Sequence, residues 1–507
     1  MTWALPAGCR LPQPALLRGT TTATNRRPNI LLIMSDEHDP AVSGCYGDPV
    51  ARTPHLDALA REGVLFDAFY TTSPLCVPAR LSFLSGKYPS HMGVWNNDCW
   101  LPSDDMPTIP HLLNAAGYES YLSGKMHLDI TRRYGLTELF PSDWNRWAKK
   151  GRGRRRLPDD QHVNKNNWLK RAADFKVDET SPVLEHDRQV TEACCQFLRN
   201  RRPDEAPFFL IAGYLAPHFP LTIPAAQDNY RDRLPMPTVP EGYLETLPLN
   251  YQHVRRASGV VDAEEATVKR GRELYWGLVE WVDGAIGQVL SALADSPVAD
   301  NTIVIYTADH GENKGDHGMW WKNCMFDSAA RIPLIVRWPE RWPGGQRRSG
   351  PCSLVDLSRT ILEIAGLQAP ADWAGRSLLG WLDDPQLHWD GLAVSEYYGY
   401  NIASGFAMVR QGNFKYVFHA RMNREYGPER ELYDLEADPQ ELHNLASQPA
   451  QQDRLKAMHA LLLRELGESP NVTEQRCRRS LAKGYKRASD RLPTPEEDDT
   501  GAPNETP

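Results

Sequence analysis

Cys76, Pro78 and Arg80 stand as C-x-P-x-R in the stretch Leu75–Lys87, LCVPARLSFLSGK, ahead of an apolar run with helical spacing that ends near Ser85-Gly86. Pro78 has its φ preset for a first helical turn and lacks an amide proton that would go unpaired there. Cys76 is therefore predicted at, or just before, a helix N-terminus, where free N–H groups and the helix dipole favour negative charge. Residue chemistry alone leaves two readings of this thiol. It is either an acidified nucleophile facing an anionic substrate, or a reduced cysteine packed at a helix start. The difference lies in whether the rest of the chain supplies an anion site and metal ligands.

Two pairs of candidate ligands follow the two most apolar stretches: Asp36-Glu37 after NILLIMS (Asn29–Ser35), and Asp309-His310 after NTIVIYTA (Asn301–Ala308). In an open parallel sheet, ligands bind beyond the carboxyl ends of the strands. On neighbouring strands the two pairs would gather three carboxylates and an imidazole, and a hard divalent cation would relieve that repulsion. Each pair taken singly reads equally well as a loop start with Asp capping the next helix. Cationic and imidazole side chains recur in equivalent places. Lys125 and His127 follow a strand at Glu119–Ser123, His218 follows one at Pro207–Tyr214, and Lys322 lies beyond Asp309 in GMWWKN. With Arg80, they stand where an anionic group beside a metal needs them. His317, in GDHG, either faces the site or has a supporting or surface role. Trp95, Asn96, Trp320 and Trp321 are candidates for the pocket wall or for core packing.

The elements that must position these residues alternate. Strands are predicted at Asn29–Ser35, Val64–Tyr70, Glu119–Ser123, Pro207–Tyr214, Asn301–Ala308 and Ile332–Arg337. Helices are expected from a Thr53 cap to Gly63, and at Thr108–Ala116, His186–Arg201, Arg272–Ala294 and Val355–Ala365. This alternation predicts an α/β fold: a large, mainly parallel sheet sandwiched by helices. Beyond Gly366 the pattern changes to short strands at Leu392–Tyr398, Phe406–Arg410 and Phe414–Phe418, then a helix at Asp453–Leu466. These form a smaller C-terminal antiparallel α+β subdomain. The expected organisation is a tail at 1–27, a catalytic domain at 28–375, the subdomain at 376–483 and a disordered tail at 484–507. Residues from about Thr131 to Val183 read as an irregular insertion near the site, and Arg152–Arg156 within it as an exposed basic loop.

A net charge of −8 over 507 residues argues against general nucleic-acid binding. No window approaches a membrane-spanning run of apolar residues. Nine cysteines without a C-x-x-C pair exclude zinc-finger and redox-pair readings, and Cys194-Cys195 read as packing residues in a helix. The first residues lack a sustained apolar segment of the signal-peptide kind, so a cytoplasmic location is expected. Neither composition nor spacing defines the oligomeric state.

Several motifs in order, PNILLIMSDE, TPHLDALAREGVLFDAFY, CVPARLSFLSGKYP, GYESYLSGKMHL, TADHGE and ELYDLEADPQELHNLA, resemble the type I sulfatases of the alkaline phosphatase superfamily. The likeness spans about Arg27 to Leu445. It implies an alkaline-phosphatase-like fold and hydrolysis of the sulfate ester of a small molecule or saccharide. It also implies that Cys76 is oxidised to formylglycine by a formylglycine-generating enzyme, and that the hydrate attacks sulfur and later expels sulfate. Asp36, Glu37, Asp309, His310 and residue 76 would bind one divalent cation, calcium ahead of manganese or magnesium. Arg80 would orient the hydrate, Lys125 and Lys322 would hold sulfate oxygens, His127 would act as base, and His218 would protonate the leaving alcohol. Asp309-His310, in place of Asp-Asn, is similar to choline-type and iduronate-type sulfatases and to phosphonate monoester hydrolases. This leaves phosphonate or phosphate ester hydrolysis as the alternative.

Overall fold

The apolar stretch NILLIMSD forms a strand over Asn29–Asp36 that is buried along its whole length, at the centre of a computed structural model describing residues 27–103, 105–129, 131–143 and 162–483. It pairs in parallel with Thr302–Ala308 on one side and with Phe208–Pro217 on the other. Its side chains alternate between the two faces, as pleating requires. Ile30, Leu32 and Met34 join a core with Val77, Phe83 and Leu84 of the helix Cys76–Ser85 and with Leu357 and Ile361 of the helix Leu354–Ile364. Leu31 and Ile33 face Leu278, Val282 and Ile286 of the helix Glu265–Ala294, together with Val190 and Leu198 of the helix Pro182–Asn200. A strand covered on both faces has no use for polar residues until it ends.

The large sheet has eight strands, in the order Gln346–Arg348, Val64–Phe66, Leu334–Arg337, Thr302–Ala308, Asn29–Asp36, Phe208–Pro217, Glu119–Gly124 and Thr137–Phe140. The last five run parallel, and Leu334–Arg337 runs antiparallel to both its neighbours. Four strands at Leu392–Tyr397, Phe406–Gln411, Phe414–His419 and Glu429–Asp434 form a separate antiparallel sheet in sequence order, covered by the helix Gln452–Leu466. The fold is thus a mainly parallel, helix-sandwiched sheet with a small C-terminal antiparallel sheet, as expected.

Local departures have physical causes. Val64–Tyr70 divides into Val64–Phe66 and Phe69–Tyr70, which pair in different sheets. Thr53 does not cap the helix Pro54–Glu62. Its hydroxyl donates to Asp57 Oδ1, while the Asp283 carboxylate, from the long helix, accepts the His55 and Leu56 amides at 3.1 and 2.8 Å. Part of the expected irregular insertion is ordered as the strand Thr137–Phe140, the helix Lys165–Ala172 and the short strand Lys176–Val177. A helix at Pro470–Lys483 follows the C-terminal sheet and was not anticipated. The basic run Arg152–Arg156 and both tails, except Arg27, lie outside the described residues. Among the described residues no helix is long and apolar enough to cross a membrane.

Candidate active site

Four adjacent parallel strands end side by side, and each delivers a polar residue to the same place. Asp36 closes the central strand, Asp309 follows Thr302–Ala308, Lys125 follows Glu119–Gly124, and His218 follows Phe208–Pro217. The last delivery depends on an irregularity. Pairing between the Asn29–Asp36 and Phe208–Pro217 strands jumps from Met34–Gly213 to Asp36–Pro217, so the Phe208–Pro217 strand bulges and brings His218 level with Asp36. Asp187, fully buried on the helix Pro182–Asn200, holds the bulge by accepting the amides of Leu215 and Ala216 at 2.8 Å each. Gly213 is required there, because a Cβ would lie 2.0 Å from the Lys125 carbonyl oxygen.

Cys76 is the first residue of the helix Cys76–Ser85, every residue of which is buried. The first turn is capped from outside: the Val77 amide donates to Asn97 Oδ1 at 3.0 Å. Gly86, at φ +61°, ends the helix, and a Cβ there would meet the Trp373 ring at 2.1 Å. One turn in, Arg80 spans the floor of the site. Its Nε donates to Asp309 Oδ2 at 2.7 Å, one terminal nitrogen to Asp36 Oδ2 at 2.9 Å, and the other to the Lys125 carbonyl at 2.8 Å. A planar guanidinium suits such fixed multiple contacts. Lys125 Nζ reaches the same Asp36 oxygen at 2.6 Å. Burial works against the Asp36 charge, but Lys125, His218, Arg80 and His310 together hold its carboxyl well below the usual range.

Cys76 Sγ lies 3.2 Å from His310 Nε2 and 3.9 Å from Asp36 Oδ1. His310 Nδ1 faces the Gly311 carbonyl at 3.0 Å; a carbonyl only accepts, so the proton sits on Nδ1 and Nε2 keeps its lone pair for the site. Ligand atoms of Asp36, Cys76, Asp309 and His310 all fall within 4.8 Å of one another, and all four residues are buried. Two carboxylates, an imidazole nitrogen and residue 76 around one point fit a divalent cation. Burial, reinforced by Asp36, pushes the Cys76 thiol up to about 12. The helix N-terminus therefore does not make it an acidified thiolate.

Glu37, at φ +66°, turns to a second grouping with Asp36 and His218. Its Oε2 is 3.3 Å from His218 Nε2 and its Oε1 is 3.1 Å from Lys322 Nζ. Burial raises its carboxyl to about 8 against the pull of Lys322, and the nearby Glu312 adds to the rise. Glu312 closes the TADHGE stretch, but its spacing alone assigns it no role, since nothing in it separates Glu312 from an ordinary loop carboxylate. His218 donates from Nδ1 to the Phe219 carbonyl at 2.7 Å, leaving Nε2 towards the acidic groups. His127, at φ +55°, is buried among the same charges; burial and then Lys125 hold its imidazole well below the ordinary value. His218 is lowered likewise, by burial and then by Lys322.

The outer candidates separate. Trp321 stands 6.1 Å from Phe219, whose ring lies tilted against that of His218 at 4.0 Å. Trp320 packs on Trp168 and Phe175, and Trp95 on Tyr398. Asn96 Oδ1 accepts the Asp98 amide at 2.9 Å. His317 is buried, stacked on Phe326 at 3.6 Å, with Nδ1 against the Tyr243 hydroxyl.

The family described as Sulfatase matches residues 28–367, and the one described as N-sulphoglucosamine sulphohydrolase, C-terminal, matches residues 315–468. The choline-sulfatase of Rhizobium meliloti is 31% identical over 448 residues, covering 84% of each chain. The N-acetylglucosamine-6-O-sulfatase of Bacteroides thetaiotaomicron is 28% identical over 504 residues, covering 86% of each. In fold, the chain resembles the phosphonate monoester hydrolase of Agrobacterium radiobacter, with a TM-score of 0.71 at 22% identity, over 86% of this chain and 95% of that one.

Proposed function

The chain belongs to the sulfatase family and is a sulfuric ester hydrolase; on that premise we propose that a nucleophile made from Cys76 attacks the sulfur of a small-alcohol or saccharide sulfate. One divalent cation would be held by Asp36, Asp309, His310 and residue 76, with Glu37 beside it, and calcium is the ion that suits a mainly oxygen donor set. The observation that carries this reading is Arg80, fully buried and bonded to both Asp36 and Asp309 beside the Cys76–His310 contact. When bound, the cation supplies charge neutralisation and polarisation of sulfate oxygens. Conversion of Cys76 by a formylglycine-generating enzyme supplies an aldehyde whose hydrate is the nucleophile. The N-acetylglucosamine ester named for one relative supports a saccharide among the alcohols proposed.

The chain's own residues then divide the work. Arg80 fixes the two carboxylates so that residue 76 meets a set geometry. Lys125 and Lys322 present ammonium groups from two sides, beside Asp36 and Glu37 respectively, and bind the sulfate oxygens. His127, held neutral, is ready to take a proton when residue 76 releases sulfate. His218 Nε2 gives a proton to the leaving oxygen, and an anionic substrate raises its proton affinity by supplying negative charge beside it.

The reading is tested by comparing kcat/KM on metal-loaded enzyme for an aryl sulfate and for the matched phenylphosphonate and phosphate esters. The sulfate is expected to be the better substrate. A larger kcat/KM for the phosphonate would favour the phosphonate hydrolase reading instead. Within the sulfates, His218→Ala is expected to slow esters of poorly acidic alcohols by about 10²–10⁴-fold and those of acidic phenols far less, since the latter depart with little help. Equal losses across the series would remove His218 from the acid role.

A further inference from the structure

The leaving-group side of the site carries a cation that the proposed chemistry does not use. The helix Lys165–Ala172 is clamped in place. Asn164 caps it by accepting the Asn167 amide and donates its own amide to the Arg256 carbonyl at 2.9 Å. Trp168 is buried against Phe175, Trp320 and Trp321. Arg171, one turn on from Trp168 and so on the same helix face, lays its guanidinium over the Phe219 ring at 3.5 Å and stands 4.8 Å from the Trp321 ring. The Phe219 ring lies tilted by 30° against that of His218, the proposed proton donor to the leaving oxygen, and Lys322 Nζ is 5.6 Å from the same Phe219 ring. Arg171 is thus one ring away from His218, the residue proposed to face the leaving oxygen.

Its charge is poorly matched by the protein. Among the described residues its hydrogen bond is a long one, 3.5 Å from Nε to Asn167 Oδ1, and no carboxylate oxygen pairs with it. Arg171 and Phe219 are both only half-buried, so this corner opens to solvent. Burial brings the guanidinium down to about 10, and Glu37 and Glu312 are the foremost charges opposing that fall. Arg171 therefore lies within electrostatic reach of the floor of the site. Stacking on an aromatic face fixes a guanidinium while leaving its edge N–H donors free for an anion.

We propose that Arg171 recognises a second anionic group on the alcohol portion of the substrate, a carboxylate or another sulfate, and disfavours cationic alcohols of the choline kind. The inference rests on the sulfatase reading of the same site. It sets this chain apart from what the name of its choline-sulfatase relative would suggest.

The test uses aryl sulfates with identical phenols whose para side chains, of equal length, end in a carboxylate, a sulfate, a primary amide or a trimethylammonium group. On full-length, metal-loaded enzyme the anionic esters are expected to exceed the amide in kcat/KM by about tenfold or more, as a charge-assisted bond to a guanidinium would give, with the trimethylammonium ester lowest. Arg171→Gln should bring the anion-to-amide ratio close to one, chiefly through KM, and Arg171→Lys should keep part of the preference. A wild-type ratio at or below one, or an undiminished ratio in Arg171→Gln, overturns the inference while leaving the sulfatase reading standing. If none of the four sulfates is hydrolysed and a phenylphosphonate ester is, the sulfatase reading falls and the inference with it.

Discussion

Cys76→Ala protein is expected to fold and to bind substrate while its turnover of sulfate esters falls by about 10⁴-fold or more. The side chain is small and sits at the first position of a helix, where alanine is well tolerated. Its polar contacts are those to His310 and Asp36, both within the site and both made by a thiol, a weak hydrogen-bonding group. Thermal unfolding should therefore change little, and the whole effect should appear in kcat. Activity retained by Cys76→Ala would mean that another group attacks the sulfur.

Asp309→Ala should lose metal and activity together, and unlike Cys76→Ala it should also destabilise the fold. Asp309 accepts the amides of Glu37 and His310 through Oδ1 and the Arg80 guanidinium through Oδ2. Both partners of that ion pair are fully buried. Removing the carboxylate leaves Arg80 with Asp36 alone among its charged partners, and breaking a buried pair in this way costs about 3–5 kcal/mol. Elemental analysis of purified protein, read beside a denaturation midpoint, separates the two effects. Asp309→Asn keeps most of the hydrogen bonds and loses the charge, so it should fold better than the alanine variant and still bind metal weakly. Stoichiometric metal in a folded Asp36→Ala/Asp309→Ala variant would move the cation elsewhere.

What was legible from the sequence was whatever depends on a strand's end. A fully covered strand is apolar until it reaches the rim of the sheet, so Asp36, Asp309 and His218 stand out as the first polar residues after NILLIMS and its buried counterparts, whereas Lys125 follows a partly exposed strand that itself carries polar residues. That they converge follows from four adjacent parallel strands, a topology that alternating elements suggest. What was not legible depends on register and on partners distant in the chain. The bulge at Gly213–Pro217 and the Asp187 carboxylate that secures it carry no local signal, because Asp187 lies in an otherwise ordinary amphipathic helix. Arg171 lies in a charge-rich stretch without strong periodicity, and its meaning comes only from the Phe219 ring beneath it. The helix N-terminus suggested a lowered thiol pKa for Cys76, whereas full burial beside Asp36 moves it the other way. Sequence spacing shows neighbours along the chain and does not show desolvation.

That reversal bears on the chemistry. A thiol pushed up to about 12 is almost wholly protonated at neutral pH and is a poor nucleophile as it stands. The same residue nevertheless has the candidate metal ligands Asp36, Asp309 and His310, with Arg80 and two lysines, gathered around it. The proposed modification of residue 76 reconciles the two. The most direct measurement is the mass of the peptide containing residue 76 from active protein made in a host that has the formylglycine-generating enzyme. The account predicts that this peptide has lost its sulfur and carries an aldehyde or its hydrate, in proportion to specific activity. Fully active protein whose residue 76 is entirely unmodified cysteine would contradict it.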